Sequence, residues 1–230
     1  MRMRGSGTPA LPVRPSTRLA LPAMLWQNAL LCPHWPRRVP TNPAMSFCPN
    51  CGQPLTRKIP PGDHLLRYVC TACGTIHYQN PRIIAGCVIE TEGKLLLCKR
   101  AIEPRLGYWT HPAGFMENGE SVAQGAAREA MEEALAKVKI GSLLSIVNVL
   151  HAHQVHITYR ATLAEPGYGV GVESLETRLY DEAEIPWQDI AFLSVRFALQ
   201  RYLEDRRLGV ERMHGQDIDW QHGKLVTTER

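Results

Sequence analysis

Apolar residues crowd two short runs in the middle of the chain, Ile83 to Glu90 (IIAGCVIE) and Lys94 to Lys99 (KLLLCK), divided by Thr91-Glu92-Gly93. Runs of that length around a short Gly-containing connection predict two strands joined as a hairpin. Val138 to Leu150 and Val155 to Leu163 predict further strands. Between them the period changes: from Ser121 to Lys137, Val122, Ala126, Ala130 and Ala134 return every fourth residue. That spacing predicts a helix, opened by the capping-box pair Ser121 and Gln124. Val195 to Arg207 predicts a second helix with Val195, Leu199, Tyr202 and Leu203 on one face. Strands and helices mixed within one domain of this length give an α/β fold, a sheet covered by helices.

The same pattern divides the 230 residues into four stretches: 1–44, 45–80, 81–205 and a polar C-terminal tail, 206–230. Composition sharpens the first boundary. Residues 1–44 hold eight of the 17 prolines and six arginines, with no Asp, Glu or Lys. Such a stretch is expected to stay unpacked. It reads as an extension upstream of Met45, which directly precedes Ser46-Phe47-Cys48; an arginine-rich organellar leader is the alternative. Its apolar run, Leu19 to Cys32, is too short to span a bilayer as a helix, so no membrane partner is expected. Residues 45–230 carry 20 basic and 22 acidic side chains, net −2, although the whole chain is +4. A nucleic-acid footprint needs basic charge on the folded part, so nucleic acid is not an expected partner.

Four of the seven cysteines form two C-x-x-C pairs, Cys48/Cys51 and Cys70/Cys73, separated by 18 residues. Each pair turns tightly enough to aim both sulfurs at one centre, and two such turns close a tetrahedral site for a structural Zn²⁺. Gly52 and Gly74 follow the pairs where a residue without Cβ eases the turn. A module this small buries little apolar surface, so the metal is expected to supply most of its folding free energy. His77 is an alternative ligand, more readily read as a surface residue. Cys87 and Cys98 fall within the apolar runs and read as core residues. Paired knuckles of this kind suit a reducing compartment, and a cytoplasmic location is expected.

The predicted helix 121–137 also carries charge. Glu129, Glu132 and Glu133 stand at i, i+3 and i+4, so their carboxylates share one face within a turn. A Glu-rich face is usually solvated surface, and alone this one would be read so. The glycine-punctuated loop before it and the adjoining Arg128 change that reading. Three carboxylates so close repel unless a cation joins them, and oxygen-only ligands suit Mg²⁺ or Mn²⁺.

Residues 114–133 resemble the Nudix box, G-x5-E-x7-R-E-x-x-E-E, at every fixed position: Gly114, Glu120, Arg128, Glu129, Glu132 and Glu133. The departure is Leu135, where the family usually has Gly, and the helix is expected to run on there for a turn. Residues 47–205 resemble the zinc-ribbon Nudix hydrolases related to plant ADP-ribose/FAD pyrophosphatases. The segments that carry this likeness are Tyr78-Gln79-Asn80-Pro81 with Gly86-Cys87, Leu96 to Arg100, Trp109 to Phe115, Glu173 to Glu176 and Glu184 to Trp187.

The resemblance implies an α/β/α sandwich around a mixed sheet (81–205) preceded by a zinc ribbon (45–80), and a homodimer. It implies hydrolysis of a nucleoside diphosphate linked to another moiety, with ADP-ribose or FAD as substrate and AMP among the products. Glu129, Glu132, Glu133 and the Ala113 carbonyl would hold the catalytic metals, Arg128 would orient the glutamates and Glu120 would fix the loop. A box glutamate, Glu173 or Glu176 would position the water. Gly114, Tyr108, Trp109 and Trp187 are candidates for the substrate, although each aromatic taken singly reads as core. His111 reads as a variant at an apolar position rather than as a base, and His151, His153 and His156 as ordinary strand residues. Two other readings compete. NADH pyrophosphatases and NAD-cap hydrolases also carry the ribbon, but Lys137 to Leu150 lacks their S-Q-P-W-P-F-P run. A non-catalytic nucleotide sensor is disfavoured by the intact glutamates.

Overall fold

The computed structural model of the chain describes residues 45–221 and 224–230, so the expectation for residues 1–44 lies outside it. The cysteine module is a three-stranded antiparallel sheet of β1 (Leu55–Lys58), β2 (Arg67–Cys70) and β3 (Ile76–His77). Its two knuckles repeat the same backbone bonds. Gly52 N–H donates to Cys48 O at 2.8 Å, and Gly74 N–H donates to Cys70 O at 2.9 Å. Both glycines sit at positive φ, 72° and 74°.

The larger sheet has the order β10-β5-β4-β9-β8-β11-β12. Its members are β4 (Arg82–Thr91), β5 (Lys94–Arg100), β8 (Val138–Val149), β9 (Gln154–Leu163), β10 (Ser174–Tyr180), β11 (His214–Gln221) and β12 (Lys224–Glu229). The β4–β9 and β8–β11 pairs are parallel and the others antiparallel, so the sheet is mixed. Two helices cover it, α1 (Val122–Ala134) and α2 (Leu193–Leu208). The period of two along a strand sorts each strand's side chains between the two helices. Leu95 and Leu97 of β5 join the cluster around Val195, Ala198, Leu199 and Leu203 of α2, while Leu96 and Cys98 join Ala126, Ala130 and Ala134 of α1. The three alanines are fully buried, which lets α1 lie close on the sheet.

Strands β4 and β5 pair only from Ile89 to Thr91 and then diverge. Into the opening come β6 (Trp109–Thr110), paired with β5, and β7 (Ala113–Phe115), paired with β4. This splay presents the glycine-rich loop beside α1.

Several expectations need correction. Helix α1 does not run past Ala134: Leu135 takes the left-handed conformation (φ 48°, ψ 30°), as a glycine would, and its N–H caps Ala130 O and Met131 O. His151 and His153 are not in a strand; Leu150–Ala152 forms a 3-10 turn and His153 its left-handed end. The segment expected as a tail supplies β11 and β12, and β11 extends the sheet beside β8.

Asp205, at the foot of α2, explains how that last hairpin is held. It is 1% exposed. Its carboxylate accepts bonds from Arg160 of β9, from the Arg212 backbone and side chain, and from His214 of β11 when that ring carries the proton. Removing one partner from a buried ion pair leaves the other charge uncompensated. Asp205→Ala is therefore expected to lower the unfolding free energy by about 3–5 kcal/mol in chemical denaturation. A loss below about 1 kcal/mol, the worth of an exposed pair, would show that the cluster is not a unit.

Candidate active site and metal centre

Helix α1 starts where the sequence places it. Ser121 caps it, with Gln124 N–H donating to Ser121 Oγ at 3.3 Å and Ser121 N–H donating to Gln124 Oε1 at 2.8 Å. From that start the second to fourth turns bring Arg128, Glu129, Glu132 and Glu133 to the loop at β7. Arg128 is the hub. Its Nη1 donates to Glu129 Oε1 at 2.7 Å and to Glu132 Oε2 at 2.9 Å. Its Nε and Nη2 donate to the two oxygens of Glu120 at 3.1 and 2.9 Å, and Nη2 also donates to Phe115 O at 3.0 Å. These bonds hold the Glu120 carboxyl below its ordinary range and the guanidinium above its own.

The three glutamates differ in burial. Glu132 is exposed, whereas Glu129 and Glu133 are buried, at 8% and 5%. Glu133 Oε2 accepts from Ala113 N–H at 3.1 Å. Burial raises the Glu129 carboxyl and pushes that of Glu133 up to about 8. Gly114 lies against Glu129: a Cβ there would sit 2.4 Å from its carboxylate. The lack of a side chain at Gly114 leaves room for Glu129.

The remaining candidates separate in the same way. Trp109 is 6% exposed, lies in the α2-side core and meets Tyr180 edge-on at 5.1 Å between ring centroids. Trp187 is half-buried against the same core. The burial of Trp109 favours core packing over stacking on a base, while Trp187 keeps part of its surface exposed. Tyr108 is half-buried in the loop, with Arg105 over its ring at 5.1 Å. Glu173 acts electrostatically on both Glu129 and Glu133, while Glu176 acts on Tyr180. His111 is 3% exposed and burial lowers its pKa to about 4, so it is a neutral core residue. His156 is also held neutral by burial, between Ser194 Oγ and Gln154 Oε1, each 3.0 Å away.

Sequence reasoning gave Arg100 no role. It ends β5 at 9% exposure, donates from Nε to Pro104 O at 3.0 Å and feels the charges of Glu133 and Glu173. The available signal was an arginine closing an otherwise apolar strand.

In the small module, the ligand atoms of Cys48, Cys51, Cys70 and Cys73 all lie within 4.8 Å of one another. Four thiols from two matched knuckles fit a tetrahedral zinc. His77 Nε2 lies 3.3 Å from Cys48 Sγ, a neighbour of this closed set rather than a replacement in it. Among the described residues no other group closes so tightly. In α1, Arg128 stands between Glu129 and Glu132 while Glu133 turns to Ala113. The α1 donors are oxygen only, and Arg128 bonds just two of the three carboxylates. That set fits a hard divalent cation with retained waters.

The family model described as NUDIX domain matches residues 80–200, and the one described as Nudix N-terminal, a zinc ribbon, matches residues 46–79. Among solved structures, a NUDIX hydrolase from Nitrosomonas europaea is 51% identical with a TM-score of 0.74, covering 76% of this chain and 99% of its own. A Stutzerimonas stutzeri protein named NAD-capped RNA hydrolase NudC is 28% identical over 165 residues, 71% of this chain and 57% of its own length. A Methanocaldococcus jannaschii protein named ADP-ribose pyrophosphatase is 28% identical over 113 residues, 47% of this chain and 67% of its own. The chain thus spans little more than half of the first of these two relatives.

Two outcomes are expected. Elemental analysis of the purified protein finds about one zinc per chain, lost in Cys70→Ser; a metal content unchanged by that substitution contradicts the site. For Glu133, the folded carboxyl titrates at about 8 against an ordinary value of 4.5. The stabilisation tied to its proton is therefore complete below the ordinary value and is lost as pH rises through about 8. In chelator, the melting temperature should fall between about pH 5 and pH 9, and Glu133→Gln should flatten that fall. A profile that the variant leaves unchanged would assign the dependence elsewhere.

Proposed function

The chain belongs to the Nudix hydrolase family, and on that premise we propose that it hydrolyses the diphosphate of a nucleoside diphosphate linked to a second moiety, with ADP-ribose or FAD as substrate and AMP as one product. The observation that carries this reading is the α1 cluster. Glu129 and Glu132 are bound to one arginine that Glu120 anchors, and the buried Glu133 faces them from the Ala113 backbone.

Glu129, Glu132 and Glu133 would hold Mg²⁺ or Mn²⁺, with the Ala113 carbonyl as a backbone ligand. A divalent cation held by these residues would supply charge neutralisation at the diphosphate. The chain's own residues set the geometry. Arg128 fixes Glu129 and Glu132, and Glu120 fixes Arg128 against the loop at Phe115 O. Glu173 is the carboxylate assigned to orient the attacking water, because it is exposed and its charge reaches Glu129 and Glu133. Tyr108, half-buried in the loop, is the aromatic assigned to a base. Arg100, which feels the charges of Glu133 and Glu173, is the arginine assigned to a phosphate.

A second reading takes an NAD-type dinucleotide, free or on an RNA end, as the substrate. Its support is the 165-residue match to the NudC relative, longer than the 121 residues that the NUDIX match covers. Against it, the residues after the box form the plain strand β8 and lack the run that marks those enzymes. A homodimer belongs to the proposal on family resemblance. A cytoplasmic setting is proposed because all six described cysteines are unpaired. No helix among the described residues is long and apolar enough to cross a membrane.

The deciding assay incubates the protein and its Glu132→Gln/Glu133→Gln variant with Mg²⁺ or Mn²⁺ and, separately, ADP-ribose, FAD, NADH and NAD-capped RNA. AMP released from ADP-ribose or FAD, and reduced about 10²-fold or more in the variant, is the expected result. Preference for NADH or the capped RNA would establish the second reading. Ligand binding without turnover would replace both with a nucleotide sensor.

A further inference from the structure

The connection from β9 to β10 reads Pro166-Gly-Tyr-Gly-Val-Gly-Val-Glu173, with glycine at every second position from 167 to 171. It lies along the C-terminal end of α1. Gly169 N–H donates to Ala134 O at 2.7 Å, and Gly171 N–H donates to Glu133 O at 3.1 Å. These bonds take up carbonyls that a helix end leaves without partners.

The approach is closest at Gly171. A Cβ there would lie 1.7 Å from Glu132 O, 2.7 Å from Glu132 C and 2.8 Å from Glu133 C. All three are backbone atoms of α1, so no flexible side chain can give way. Gly171, unlike Gly167, is not at positive φ; its lack of a side chain serves contact rather than conformation. The two α1 residues it touches are Glu132 and Glu133.

Two residues later comes Glu173. Its carbonyl accepts from Ala101 N–H at 2.8 Å, Ser174 N–H donates to Gly171 O at 3.1 Å, and Ser174 pairs with Arg100 at the end of β5. The strap is thus fixed to the catalytic helix at one end and to β5 at the other, and Glu173 stands between those anchors. Thr177 Oγ1 adds a bond to Gly169 O at 2.9 Å.

We propose that Gly171 is a positioning residue of the active site. By letting the 169–171 backbone rest on α1 at Glu132 and Glu133, it sets Glu173 against the carboxylates of that same helical turn. The inference rests on the hydrolase reading above and on the part given there to Glu173. Helix capping alone would ask for the two N–H donors; it gives no reason for the strap to lead directly to a carboxylate that acts on Glu129 and Glu133.

The test is a double-mutant cycle on the full chain with Mg²⁺, using a substrate that the wild type turns over, with kcat, KM and melting temperature recorded. Gly171→Ala and Glu173→Gln should each lower kcat about 10²-fold with KM near wild type, as a misplacement near 1 Å does. The double variant should be no slower than Glu173→Gln alone. Should Gly171→Ala fail to fold, Thr177→Val loosens the strap without a clash. It should lower kcat about tenfold in the wild-type background and leave kcat unchanged in the Glu173→Gln background. A purely structural strap would give a lower melting temperature with wild-type kcat, or effects that multiply in the double variant; either overturns the proposal. Wild-type kcat in Glu173→Gln overturns it through Glu173 while leaving the hydrolase reading intact. No turnover by the wild type removes the hydrolase reading, and this inference with it.

Discussion

The structure turns on crowding like charge onto one helical turn. Glu129, Glu132 and Glu133 project from less than a turn and a half of α1, two of them buried, where an ionised carboxylate loses the hydration that makes it cheap. Arg128 meets part of that cost by bonding Glu129 and Glu132 at once. Glu133 meets its share through a single backbone N–H and by holding its proton more tightly. An arginine that bridges its own helix's carboxylates needs an anchor, and Glu120, clamped through both oxygens, provides it. On the proposed reading, these bonds hold the carboxylates in place for a cation, the preorganisation a hydrolytic site requires.

The scaffold serves that cluster from three directions. Alanines on the adjoining face let α1 sink onto the sheet and carry Glu129 and Glu133 below the surface. The divergence of β4 and β5 admits β7, whose Ala113 N–H reaches Glu133 and whose Gly114 makes room for Glu129. The 169–171 strap closes the end of the helix where Leu135 takes the left-handed turn. Each support is short in space but spans a long stretch of chain.

That difference in range separates what the sequence discloses from what it hides. Helix α1, its capping box, the alanine face and the glutamate spacing all lie within 17 residues, and their period alone predicts them. The cysteine knuckles are local in the same sense. Strands β4 and β5 are legible as short apolar runs, and β8 and β9 as stretches rich in β-branched and other apolar residues. Strand β10 and the β11–β12 hairpin are polar and acquire their order from neighbours: β10 from β5, and β11 from β8 and from Asp205. Trp109 and Trp187 illustrate the converse. An aromatic residue near a motif suits a ligand or a core equally well; packing against Tyr180 puts Trp109 in the core, and Trp187 packs against the same core while partly exposed. The roles argued for Gly171 and Arg100 depend on which backbone or carboxylate approaches them, and no spacing records that.

The most direct test of this account is Mn²⁺ binding to the zinc-loaded protein, followed by electron paramagnetic resonance of the free ion. The wild type should take up Mn²⁺ in addition to its zinc, while Glu129→Gln/Glu132→Gln/Glu133→Gln keeps the zinc and the fold but loses the Mn²⁺. If the triple variant bound Mn²⁺ as tightly as the wild type, the α1 cluster would not be the metal site, and the function built on it would have to be abandoned.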